Sequence, residues 1–102
     1  MFVEHGKTDG NMSLDHALTL HGMVTGDITV VKGGCLVLHG MCCHNLLVEK
    51  EAKAYIHGTV GGNVLNHGGH LEVYGMVEGY VHTTESGNTL IDHNAIVSKG
   101  CS

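Results

Sequence analysis

The sequence predicts a single all-β domain spanning residues 1–102, a right-handed parallel β-helix of about six coils of about 16–18 residues each. Three observations carry that expectation. One segment recurs along the whole chain, its apolar residues alternate, and glycines return at fixed offsets within it.

The clearest copy is Leu18-Thr19-Leu20-His21-Gly22-Met23-Val24-Thr25-Gly26-Asp27-Ile28-Thr29-Val30. Its echoes begin at Leu36, at Ala54 and at Leu71, as in Leu71-Glu72-Val73-Tyr74-Gly75-Met76-Val77. A weaker copy opens the chain at Phe2, and a last one, slipped by about one residue, carries Leu90-Ile91-Asp92-His93-Asn94. The copies begin near residues 2, 18, 36, 54, 71 and 89.

Counting Leu18 as position one, the apolar residues fall at positions one, three, seven, eleven and thirteen. Alternation at period two is the mark of a strand with one buried face. Gly at positions five and nine suits corners that need left-handed backbone angles, and Asn94 stands for that Gly in the last copy. One such unit cannot bury an apolar face alone. Stacked about 4.8 Å apart, successive units pair backbone to backbone and share one interior. Parallel crossovers favour a right-handed path.

A left-handed hexapeptide β-helix is the alternative, because 18 is three sixes. That pattern needs one bulky inward residue in every six, with small or polar residues between. Here position three is also aliphatic throughout (Leu20, Leu38, Ile56, Val73, Ile91), which fits strand alternation better.

Composition narrows the function. Net charge is −5, and the five basic residues are all Lys. Phosphate and base-edge recognition relies on the guanidinium fork and a basic face, so no nucleic acid and no anionic membrane is expected as partner. The start shows no basic region followed by an apolar run, so no signal peptide is expected. Cys35, Cys42, Cys43 and Cys101 lack CxxC spacing, and adjacent strand residues point to opposite faces. Reduced thiols in a cytoplasmic protein are the expectation.

The spacing Leu-x-Val-x-Gly-x-Val-x-Gly-x-Val, at Leu71 to Val81 and, with related aliphatics, at Leu18 to Ile28, resembles the bactofilins. The resemblance covers roughly residues 18–97. It implies a right-handed triangular β-helix core and a bacterial polymer-forming, cytoskeletal role by end-to-end assembly. Family members carry disordered tails; this sequence has hardly any residue outside the repeat.

The chain holds 10 His, and His5, His21, His39, His57 and His93 share one register, with Tyr74 on the remaining rung. A row of stacked rings is the expected outcome. A zinc site needs about four converging ligands, and a straight ladder offers two neighbours per ion. Cys42-Cys43-His44 is the other metal-like cluster. Cys42 falls on an inward row, leaving His39 and Cys43 as weak metal candidates that do not make a site. No metal, no cofactor and no catalytic residue is therefore expected.

The outward residues of the first strand and corner suggest a contact surface instead. His21, Met23, Val37, His39, Met41, Tyr55, His57, Tyr74 and Met76 would form a flank rich in apolar and aromatic groups. The acidic residues Asp27, Glu49, Glu51, Glu78, Glu85 and Asp92 read as a solvated face. The polar first copy (Lys7, Thr8, Asp9, Asn11, Ser13, Asp15) reads as a cap, whereas the C-terminal end looks open to dimerisation or stacking. The expected function is therefore non-enzymatic, a bactofilin-like scaffold or self-assembling module whose partner is a protein or itself. A small acidic immunity protein that neutralises a bacterial toxin is one alternative. A left-handed hexapeptide-type acyltransferase is the other.

Overall fold

The computed structural model describes residues 2–4, 7–8, 10–84 and 87–100. Their strands come in sets of three, one set per turn. The first holds β1 (Phe2–Glu4), β2 (Lys7–Thr8) and β3 (Met12–Leu14). Next come β4 (Ala17–Leu20), β5 (Met23–Val24) and β6 (Ile28–Val30), then β7 (Cys35–Leu38), β8 (Met41–Cys42) and β9 (Leu46–Val48). β10 (Lys53–Ile56), β11 (Thr59–Val60) and β12 (Val64–Asn66) follow, then β13 (His70–Val73), β14 (Met76–Val77) and β15 (Val81–Thr83). β16 (Asn88–Ile91) and β17 (Ile96–Val97) are the last strands among the described residues.

Each strand pairs in parallel with its counterpart in the neighbouring turn, giving sheets of six, six and five strands. The result is an all-β parallel solenoid of about five turns, without helices among the described residues. No helix among them is long and apolar enough to cross a membrane. The first sheet fixes the register as Phe2↔Leu18↔Leu36↔Ala54↔Leu71↔Thr89, which coincides with the repeat boundaries read from sequence.

The expected inward rows make the core. Leu20, Val24, Ile28, Val30, Leu38, Ile56, Val60, Val73 and Val77 are all fully buried, and Cys42 sits among them. One row breaks the pattern: Asn66 replaces the valines Val30 and Val48 and is fully buried. Its amide is satisfied. Oδ1 accepts from the N–H groups of Gly68 (3.2 Å) and Gly69 (2.8 Å), while Nδ2 donates to Asn88 O (3.1 Å) and Thr89 Oγ1 (3.0 Å).

The corners match expectation at Gly10, in position nine of the first copy, and differ from it elsewhere. The described position-five glycines (Gly22, Gly40, Gly58, Gly75) do not take left-handed angles; among the described glycines only Gly10, Gly33, Gly68 and Gly100 have positive φ. The role of position five is close approach. A Cβ on Gly40 would run into Gly22 O, and one on Gly58 into Gly40 O. That closeness follows from shared carbonyls: Leu38 O accepts the N–H of both His57 and Gly58, each at 2.8 Å.

The last turn is corrected as well. Asp92, not His93, follows Tyr74 in register, because Val73 pairs with Ile91 and Asp92 N donates to Val73 O. Four residues separate Ile91 from Ile96, where two separate Val73 from Met76. The corner is longer, and Asn94 N–H turns back onto Asp92 Oδ2 at 3.0 Å. Asn94 is therefore part of a wider turn rather than a glycine substitute.

Candidate functional site

The flank begins at the first corner. Position four follows the strand directly, so its side chain leaves the solenoid where two sheets meet. His21, His39, His57 and Tyr74 occupy successive rungs there. Their rings stack face to face, with centroids 4.9 Å apart at each step and interplanar angles of 7°, 12° and 7°. The spacing is that of neighbouring parallel strands, so the backbone repeat itself sets the stack. His5, Asp9, Glu85 and Cys101 lie outside the described residues.

Around this column lie two more rows. Val37 and Tyr55 are half-buried on the outer face of the first sheet, at the rungs between Thr19 and Glu72. Met23, Met41 and Met76 line the outer face of the second sheet, with Thr59 between the last two. Met23 is 36 % exposed and Tyr74 37 %, whereas Met41 and Met76 are half-buried. All nine residues expected on the contact flank share this edge of the solenoid.

The lower half of the first sheet carries a polar cluster that composition alone did not reveal. Glu72 accepts from Tyr74 Oη on one carboxylate oxygen and lies 2.6 Å from His70 Nε2 on the other. His70 Nδ1 is 3.0 Å from Asn88 Nδ2, and the Tyr55 ring tilts against the imidazole at 6.0 Å. A carboxylate only accepts and an amide nitrogen only donates, so this assignment places the His70 proton on Nε2. The Tyr74 hydroxyl and then His70 hold the Glu72 carboxyl below its ordinary value, and the Glu72 contact pushes Tyr74 up. As a general base His70 would first have to release Asn88.

A shallow open groove of about 450 Å³ lies beside this cluster, at the third corner. It forms because three residues join Asn66 to His70, whereas four join Val48 to Lys53. Lys50 and Lys53 are among the residues that line it.

The second corner holds a ladder of side-chain acceptors. Asn11 Oδ1 takes the N–H of Asp27 at 2.8 Å, and Asp27 Oδ1 takes that of Asn45 at 2.9 Å. Asn45 Oδ1 then takes the N–H of Asn63 at 2.9 Å, and Asn63 Oδ1 that of Tyr80 at 3.0 Å. Asp27 is thus a structural rung and not merely part of a solvated face. The signal was present as Asn or Asp three positions after a strand, but it emerges only once the coils are aligned.

His39 and Cys43 flank β8 on opposite corners, so the fold does not bring them together. Cys42 is fully buried, and burial pushes its thiol up to about 11, with carbonyls of Gly26, His44 and Asn45 within 3.7 Å. Among the described residues no group of three or more His, Cys, Asp or Glu converges as a metal site.

The chain matches no protein-family model, no curated protein and no solved structure. Its surface chemistry has to be read from its own residues.

Proposed function

We propose that the chain is a non-enzymatic solenoid module that acts through protein–protein contacts and associates with copies of itself through its C-terminal end. The observation that carries this reading is the state of the last turn. β16 and β17 are the outermost strands of their sheets, with no strand beyond them among the described residues. Leu90 is 52 % exposed and Ile96 55 %, while Ile91, Ala95 and Val97 are only partly buried against the core. Open strand edges combined with exposed apolar side chains recruit further strands.

We take the coils to be right-handed, about six in number when the partial ones are included, in line with the preference of parallel crossovers. The bactofilin resemblance supports the same assembling role, in the cytoplasm of a bacterium. Sedimentation velocity over a range of concentrations tests it. The wild-type chain should shift to larger species as concentration rises, and Leu90→Lys with Ile96→Lys should stay monomeric. A wild-type chain that remains monomeric throughout would refute the proposal.

A second reading is favoured by charge. A net charge of −5 without Arg suits an acidic, immunity-type protein that docks on a basic toxin. Its mark would be a basic protein co-purifying in stoichiometric amount, with the complex weakened by salt.

A further inference from the structure

Zinc-type chemistry needs several hard or borderline ligands around one point, and the described residues do not supply them. Soft monovalent metal ions ask for something different. Thioether sulfur selects Cu(I), and imidazole also suits copper. These ions are stable with few donors, so two or three suffice.

The sequence His-Gly-Met occurs in two successive copies, His21-Gly22-Met23 and His39-Gly40-Met41. The fold lays them side by side. Met23 pairs in register with Met41 on adjacent parallel strands, and His21 stacks on His39 at 4.9 Å. Among the described residues this is the one place where two methionines face outward as strand neighbours. The next rung carries Thr59, which separates Met41 from Met76. A single Gly joins each imidazole to its thioether across the corner, so both leave the same edge of the solenoid. Met23 and His39 are exposed, and Met41 is half-buried.

Stacking does not consume the donors. It covers the faces of the His39 ring, whereas the nitrogen lone pair lies in the ring plane. Met23 and His39 are exposed, so the charge of a bound monovalent ion stays in contact with water and needs no buried counter-charge.

We propose that Met23, Met41 and His39 form a binding site for a soft monovalent metal ion of the Cu(I) or Ag(I) class. The site lies on the flank and is independent of the end-to-end reading.

Cysteine thiolates would compete for the same ions, so the test uses the chain with Cys35, Cys43 and Cys101 changed to Ser. Carbon-13 methyl-labelled methionine is followed by NMR while Ag(I) is added. The Met23 and Met41 methyl signals should shift together and saturate at one equivalent, with Met12 and Met76 unmoved. Competition with a chromogenic chelator under ascorbate then measures Cu(I). Met23→Leu, Met41→Leu and His39→Gln should each weaken binding at least about tenfold. Leu preserves the volume, and circular dichroism confirms that each variant is folded. Should the Ser background fail to fold, the wild-type chain with its accessible thiols alkylated takes its place. Absence of a shift at one equivalent, equal shifts at all methionines, or unchanged Cu(I) affinity in the Leu variants would each overturn the site.

Discussion

Asn45 and Asn63, 18 residues apart in sequence, are joined by a hydrogen bond of 2.9 Å from the Asn63 N–H to Asn45 Oδ1. It is one rung of the ladder that ties each second corner to the next. Because every rung uses Oδ1 as an acceptor, Asp and Asn are interchangeable in it. Asp27→Asn should therefore change stability by less than about 0.5 kcal/mol. Asn45→Ala leaves the Asn63 N–H without its acceptor and should cost on the order of 1 kcal/mol. Urea unfolding of the two variants distinguishes a ladder from a set of solvated polar groups. Equal effects would contradict the ladder.

Glycine replacements separate close approach from backbone conformation. A Cβ on Gly58 would overlap the backbone of Gly40 and His39, which cannot give way without displacing a neighbouring coil. Gly58→Ala should cost about 3 kcal/mol or more, in the range of severe overpacking. Gly33 has φ of 85° and an open surround; a Cβ there would meet only Asp15 O, at 3.5 Å. Gly33→Asn should cost no more than about 1 kcal/mol, because Asn tolerates that region. Denaturant midpoints give both numbers.

Thiol reactivity should follow burial. Cys42 is fully buried, with its thiol pushed up to about 11, so it stays protonated and shielded at neutral pH. Cys35 and Cys43 are partly accessible. Alkylation of the native chain followed by peptide mass spectrometry should label Cys35 and Cys43 and spare Cys42. The raised value also sets a direction with pH. The folded state favours the neutral thiol, so this contribution is intact below pH 9.0 and is lost as pH rises toward about 11. Labelling of Cys42 at the rate of Cys43 would contradict its inward placement.

The Glu72 contacts predict a pH effect of opposite sign. Its carboxyl is held low by Tyr74 and His70, so the charged form is favoured by folding. That contribution is present above the ordinary carboxylate value and disappears as pH falls through the lower folded-state value. Thermal melts should show wild type above Glu72→Gln at neutral pH, with the gap closing in acid. Tyr74 is pushed up by the same carboxylate, so its contribution is present below the ordinary phenol value and lost as pH rises through the higher folded-state value. A gap that stays constant from neutral to acid pH would show that Glu72 acts without its charge.

Strand alternation makes the coil register legible as a local consequence of one buried face, and recurrent Gly marks the corner where each coil meets the backbone of the one before it. The boundary at residue 89 is legible even though Thr89 is polar, since Ile91 keeps position three. What the sequence left hidden depends on contacts between coils. Asn66 looks like a surface residue until its four hydrogen bonds are seen, and Asp27 looks like a solvated acid until Asn45 is placed beneath it. The same holds for His93. It carries the right residue type, but Ile91 pairs with Val73 without a slip, so Asp92 takes the rung after Tyr74. The ring stack was legible as a shared register, whereas the His70–Glu72–Tyr74 cluster needed the outer face of the first sheet to be assembled.

Hydrogen exchange at the last turn tests the assembling role most directly. Residues 88–97 form the outermost strands β16 and β17 and the corner between them, where end-to-end contact would cover their amides. Their exchange should slow markedly as protein concentration rises, while β10 and β11 in the middle of the solenoid exchange at an unchanged rate. Exchange in 88–97 that is independent of concentration would contradict association through the C-terminal end.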